Sequence, residues 1–183
     1  MTKQALLVMD VQRTVVDRYT GDTEYLPRLG SARDAATSAG IPVIYAVIGF
    51  RPGFPEISPR NKIFGAIRES GAFAGDGMEV HPSIAPRAED IVVAKKRVSA
   101  FAGSDLEMIL RANEIDSLVL TGIATSGVVL STVRQAADLD FALTVLSDGC
   151  LDADPEVHRV LTEKVFPRQA DVLTVEKWTT GIQ

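Results

Sequence analysis

Ser117 to Gly149 reads SLVLTGIATSGVVLSTVRQAADLDFALTVLSDG, and this stretch decides the fold. Leu118, Val119 and Leu120 form an apolar run ending in Thr121-Gly122, and Phe141 to Leu146 form a second. Both suit parallel strands buried on two faces. Between them Val129, Val133, Ala136 and Ala137 recur at helical spacing, with Arg134, Gln135 and Asp138 on the other side. The pattern predicts one strand–helix–strand unit. Open parallel sheets bind ligands outside the carboxyl ends of their strands, so chemistry is expected at the turn Gly122-Ile123-Ala124-Thr125-Ser126-Gly127.

Toward the N-terminus, Ala5 to Met9 read as a first strand that delivers Asp10 at its carboxyl end, with Gln12 two residues on. A cap on the following turn is the structural alternative for Asp10. The polar stretch Arg18 to Arg28 reads as a surface loop, Ser31 to Ser38 as a helix ended by Gly40, and Val43 to Ile48 as the next strand. From Gly49 to Gly77 the prolines and glycines predict a long ordered loop of the kind that covers a site, with a short helix over Asn61 to Ser70. Arg51, Arg60 and Lys62 on this loop are candidates to meet an anionic substrate, with a solvated loop or a subunit contact as the alternative. Pro82 to Pro86 reads as another turn. Ile91 to Ala94 is a strand running into Lys95-Lys96-Arg97, three adjacent cations that need an anion or carboxylate nearby. Ser104 with Glu107 predicts a capped helix bearing Leu106, Ile109 and Leu110. A last helix starts at Asp154-Pro155, and Asp171 to Val175 reads as a closing strand.

The alternation of strand and helix, without repeats or low-complexity linkers, predicts one α/β domain spanning 1–183 with a mostly parallel sheet of about six strands and helices on both faces. With 183 residues, 46% of them hydrophobic and 23% charged, the chain can bury a substantial core. A net charge of −5 argues against nucleic acid or an anionic membrane as partner. Cys150 is the single cysteine, which rules out an internal disulfide and a cysteine-based zinc site and fits a reducing cytoplasm. The first ten residues meet Asp10 too soon to be a signal peptide or a membrane span.

Three segments, Leu6-Leu7-Val8-Met9-Asp10-Val11-Gln12, Lys95-Lys96-Arg97-Val98-Ser99-Ala100-Phe101 and Thr121-Gly122-Ile123-Ala124-Thr125, resemble the isochorismatase-like hydrolase superfamily, the cysteine hydrolases, in order and spacing. Val165 to Val172 is similar to what many members carry after their last helix. The resemblance covers nearly the whole chain and implies a Rossmann-like three-layer sandwich. It also implies an Asp–Lys–Cys site, in which Asp10 matches the base and Lys95 the supporting lysine. The position of the nucleophilic cysteine falls on Val128. An isopropyl group cannot attack a carbonyl, so the usual thioester is excluded there. Isochorismatases carry glycine at that position and use the aspartate as an acid toward a vinyl ether. By that comparison the expected activity is hydrolysis of a small molecule by Asp10/Lys95 acid–base chemistry without a covalent intermediate. Thr125-Ser126 stands where isochorismatases usually carry alanine-histidine, and Val128 is bulkier than glycine, so the substrate is left open.

The resemblance further implies a cis peptide at Ile123-Ala124, and an oxyanion or carboxylate site made by the amides of Gly127 and Val128. Gln12, Arg97, Ile123, Ala124, Thr125, Gly127 and Val128 are the expected substrate contacts. No metal or other cofactor is expected: nicotinamidases take a metal with histidines on the loop that here runs from Gly49 to Asn61 and has none, and no phosphate-binding glycine motif occurs. His81 reads as surface and His158 as structural. Ser126, Ser131 and Cys150 are the alternative nucleophiles, and a catalytically silent binding protein is the alternative class. Family likeness implies a homo-oligomer, with Phe50, Phe54 and Trp178 as candidate contacts.

Overall fold

Strand order fixes where a ligand can sit. The strands β1 (Gln4–Met9), β2 (Val43–Ile48), β3 (Ile91–Lys95), β4 (Ser117–Ile123), β5 (Ala142–Leu151) and β6 (Asp171–Leu173) form one all-parallel sheet in the order β3-β2-β1-β4-β5-β6. This is a computed structural model, and it describes residues 3–19, 21–73 and 78–182. The order runs outward in two directions from β1 and β4, so the switch point lies between their carboxyl ends. Among the described residues the helices are α1 (Arg13–Val16), α2 (Tyr25–Ser38), α3 (Lys62–Ser70), α4 (Leu106–Ala112), α5 (Leu130–Asp138), α6 (Pro155–Val160) and α7 (Val175–Gly181), with short 3-10 or π-helical turns at Pro82–Ile84, Thr125–Val129, Leu161–Val165 and Phe166–Arg168.

Side chains alternate across a strand, and β1 divides accordingly between two cores. Ala5, Leu7 and Met9 join Leu106 and Leu110 of α4 and Val133 and Ala136 of α5. Leu6 and Val8 join Tyr25, Leu29, Ala32 and Ala36 of α2 and Trp178 of α7. The result is the expected single α/β domain with helices on both faces. At the centre, Gly122 has φ +146, and a Cβ there would run into the Met9 carbonyl oxygen. Only glycine lets the two central strands approach this closely at their ends.

Several boundaries differ from the sequence reading. The helix expected at Ser31 starts at Tyr25, so the last four residues of the expected surface loop are helical, and Tyr25 is 1% exposed. Pro27 sits in the first turn, where its missing N–H costs nothing. The strand expected to stop at Leu146 continues to Leu151, because an irregularity shifts its register from Leu120↔Val145 to Gly122↔Cys150. The closing strand is shorter than expected: it ends at Leu173, and the Thr174 side chain caps α7 by accepting from Lys177 N–H. The α4 cap lies at Asp105; Ser104 Oγ contributes by accepting from Leu106 N–H.

The long loop after β2 has its own small apolar core of Ile48, Phe50, Ile57, Phe64 and Phe73, with α3 inside it. It packs beside the ends of β2 and β3. Residues 74–77 of that loop lie outside the described residues. Phe50 and Trp178, considered above as contacts between subunits, are each 4% exposed and serve the chain's own interior.

Candidate active site

Asp10 is the first residue beyond β1, and its φ of 55 turns the chain sharply away from the strand. Aspartate tolerates this left-handed conformation better than most residues. Its N–H still donates to the Ala46 carbonyl, which keeps it anchored to the sheet. The carboxylate meets Lys95 at the end of β3, Oδ2 lying 2.9 Å from Nζ. The Lys95 side chain is 1% exposed, and its ammonium also donates to the carbonyls of Arg97 at 2.9 Å and Val98 at 3.2 Å. Three acceptors match the three donors of an ammonium group.

The carboxylate is less well served. Oδ1 is buried and has no hydrogen-bond partner among the described residues. Burial pushes the Asp10 carboxyl up from 3.8 to about 6, against the opposing charge and hydrogen bond of Lys95. This is a proton-exchanging group within reach of neutral pH, with one oxygen held by Lys95 and the other without a partner among the described residues.

Beyond β4 the Ile123-Ala124 peptide is cis, and residues Thr125–Val129 make a wide helical turn before α5. The turn is closed on itself: the N–H groups of Gly127 and Val129 both donate to the Ala124 carbonyl. From the β5 side, Asp152 Oδ2 accepts the Ser126 N–H at 2.7 Å, and His158 Nδ1 lies 2.8 Å from Thr125 Oγ1.

A model of the isochorismatase domain matches residues 4–177. The chain belongs to the isochorismatase family. It is 30% identical to the isochorismatase family protein YecD of Escherichia coli O157:H7, over 94% of this chain and 93% of that one. The ureidoacrylate amidohydrolase RutB of Stutzerimonas stutzeri is 29% identical over 99% of this chain and 80% of its own. Among solved structures, N-carbamoylsarcosine amidase from Thermoplasma acidophilum superimposes with a TM-score of 0.74 at 31% identity, covering 96% of this chain and 98% of that one.

Within this isochorismatase-family domain, the expected site residues fall into distinct groups. Asp10 and Lys95 come together from β1 and β3. Gln12 is fully buried and clamps β1 to β2, its side-chain amide donating to the Ile48 carbonyl and accepting the Ile48 N–H. Arg97 donates to the Glu56 and Lys96 carbonyls and lies over the Phe64 ring, which ties the loop to the end of β3. Lys96 donates to the Gly49 carbonyl, so one of the three adjacent cations meets a carboxylate and the others meet carbonyls. Arg51 pairs with Glu56 at 2.6 Å, and Arg60 and Lys62 are exposed. Ile123, Ala124, Thr125 and Val128 lie at the β4 end, Val128 only 2% exposed in the apolar layer. The Gly127 amide, expected to face substrate, is spent on Ala124.

Cys150 lies inside β5, 2% exposed, its thiol pushed up to about 12 by burial. Burial of this kind disfavours the thiolate that a nucleophile needs. Sequence reasoning gave no role to Asp152 and left His158 as merely structural. Their grip on the turn is a contact between elements 26 and 33 residues apart, which no local pattern announces.

Proposed function

We propose that this isochorismatase-family chain is a hydrolase that uses Asp10 as a general acid, with Lys95 fixing the carboxyl, and forms no covalent intermediate. The observation that carries the reading is the unequal pair of Asp10 oxygens. Oδ2 is held by a fully matched ammonium, while Oδ1 is buried, unpartnered and part of a carboxyl raised to about 6. A raised carboxyl keeps a proton to give, and a general acid works best with a pKa near the operating pH. Val128 supplies no nucleophile at the turn, so water must be the attacking group.

For a vinyl ether the steps balance as follows. Asp10 gives its proton to the terminal alkene carbon, leaving an oxocarbenium ion. Water bonds to the cationic carbon and its proton returns to the Asp10 carboxylate. The hemiketal then collapses, its hydroxyl proton passing to the leaving oxygen, to a ketone and an alcohol. RutB and N-carbamoylsarcosine amidase are named for amide and carbamoyl substrates, so those classes belong beside vinyl ethers in any test.

A second reading is a small-molecule-binding protein that has kept the family pocket. It is favoured by the internal use of Arg97 and of the Gly127 amide. Hydrolysis of a panel of vinyl ethers, amides, carbamoyl compounds and imides separates the two. Turnover that falls by about 10²- to 10⁴-fold in Asp10→Asn, the usual worth of a general acid, and persists in Cys150→Ser supports the hydrolase. Stabilisation of the fold by a panel compound with no turnover overturns it in favour of binding.

A further inference from the structure

A second polar cluster lies across β4 from Asp10. β5 places Cys150 beside Gly122 and ends at Leu151; the chain then passes through Asp152 into α6, whose start is capped by the Asp154 side chain. Two groups from this segment hold the turn after β4. Asp152 takes the Ser126 N–H, and His158 of α6 bonds Thr125 Oγ1. Thr125 has no exposed surface, whereas His158 is half-buried and borders a cavity of roughly 320 Å³ with Arg28, Asp148, Cys150 and Asp152. One side of the imidazole therefore meets an interior hydroxyl while the ring remains in touch with solvent.

We propose that His158 is a positioning residue, which sets the turn Thr125–Val129 through its bond to Thr125 and thereby the backbone that meets substrate beside Asp10. The proposal rests on the reading of Asp10 and Lys95 as the reacting pair. Thr125 immediately follows Ala124, whose carbonyl closes the turn, and β4 lies in register with β1 up to Met9↔Gly122. Thr125 lies three residues beyond Gly122, and Asp10 one residue beyond Met9, so a displacement of the turn falls at the same carboxyl edge of the sheet as Asp10. Misplacement by about 1 Å is enough to cost about 10²-fold in rate.

The two protonation states of His158 hold Thr125 differently. In the neutral ring Nδ1 accepts the threonine hydroxyl hydrogen, and Nε2 carries the ring proton. In the imidazolium Nδ1–H donates and the hydroxyl must turn its hydrogen elsewhere. Burial pulls the ring below its ordinary 6.5, with the Asp152 charge opposing, so the neutral arrangement holds at neutral pH. The other charged groups around the ring are Asp22 and Arg28 at the α2 side, Asp148 on β5, and Arg159 and Glu163 on its own helical segment.

The test compares wild type, His158→Ala, His158→Asn and Thr125→Val by kcat and KM on the hydrolysed panel substrate. It adds the amide NMR shifts of Ser126, Gly127 and Val128 against pH. His158→Ala and Thr125→Val are expected to lower kcat about 10- to 100-fold with KM within about threefold. His158→Asn, whose amide reaches the place of Nδ1, restores kcat to within about threefold. The amide shifts of the turn follow an inflection on the acid side of about 6.5 in wild type and lose it in His158→Asn. Unchanged kcat in His158→Ala, or an amide inflection that survives in His158→Asn, overturns the proposal. If no panel compound is hydrolysed, the hydrolase reading fails, and the amide titration still decides the role of His158.

Discussion

Gly122 is flanked by Met9 of β1 on one side and by Cys150 of β5 on the other, and the two sides show what burial alone does and does not do. Beyond Met9, the Asp10 side chain is 13% exposed next to a cation that is itself fully matched, and its Oδ1 is buried with no partner among the described residues. Across β4, Cys150 is 2% exposed in the apolar layer, and its thiol meets the Leu120 carbonyl at 3.9 Å and the Gly122 backbone. Both groups are raised by burial, the carboxyl to about 6 and the thiol to about 12. A raised carboxyl becomes a proton donor near neutral pH, whereas a raised thiol loses its thiolate and with it its nucleophilicity. On the proposed reading, the same physical cause makes one side the acid and leaves the other without a nucleophile.

The comparison breaks most visibly at Lys95. Lys95→Met leaves a buried carboxyl without its ammonium, and the expected loss at neutral pH is about 3–5 kcal/mol by denaturant unfolding. That loss shrinks in acid, where Asp10 is protonated and no bare charge remains. A loss independent of pH would mean that Lys95 acts through packing alone. On the other side of β4, Cys150→Ala removes only a sulfur's worth of packing. It is expected to cost about 1–2 kcal/mol and to leave kcat within about twofold. A collapse of activity in a folded Cys150→Ala protein would reverse the assignment of the two sides.

Asp10→Asn sharpens the same contrast through stability. The folded protein holds the Asp10 proton up to about 6, while an unfolded chain releases it near 3.8. The native state therefore binds more protons between those values. The stabilisation carried by the protonated carboxyl is full below 3.8 and is lost as pH rises through 6. Asp10→Asn lacks this titration, so its unfolding midpoint is expected to gain on wild type as pH rises through that window. A constant offset would show that Asp10 is not raised.

Much of this arrangement is legible in the sequence, and what is not has particular reasons. β1, β2, β3 and β4 are near-continuous apolar runs, so the sheet and the residues at its carboxyl edge follow from local pattern. Asp10 and Lys95 are each readable as strand-end residues and, by resemblance, as a pair, although no spacing in the chain brings β1 and β3 together. The early start of α2 was obscured by Pro27 and polar neighbours; the signal that finds it is Tyr25, Leu29, Ala32 and Ala36 at helical spacing. The extension of β5 was hidden because its last residues include Ser147, Asp148 and Gly149, which interrupt the apolar run where the register shifts. The pairing of Thr125 with His158 is a tertiary contact that only the folded chain reveals.

The most direct test of the central claim is the pH dependence of kcat/KM for the panel substrate that wild type hydrolyses. A plateau in acid that falls as pH rises through about 6, unchanged in Cys150→Ser and absent in Asp10→Asn, is the predicted profile for a buried carboxyl acting as the acid. A rate that instead rises through about 6, or that follows a group titrating in the thiol range and disappears in Cys150→Ser, contradicts it.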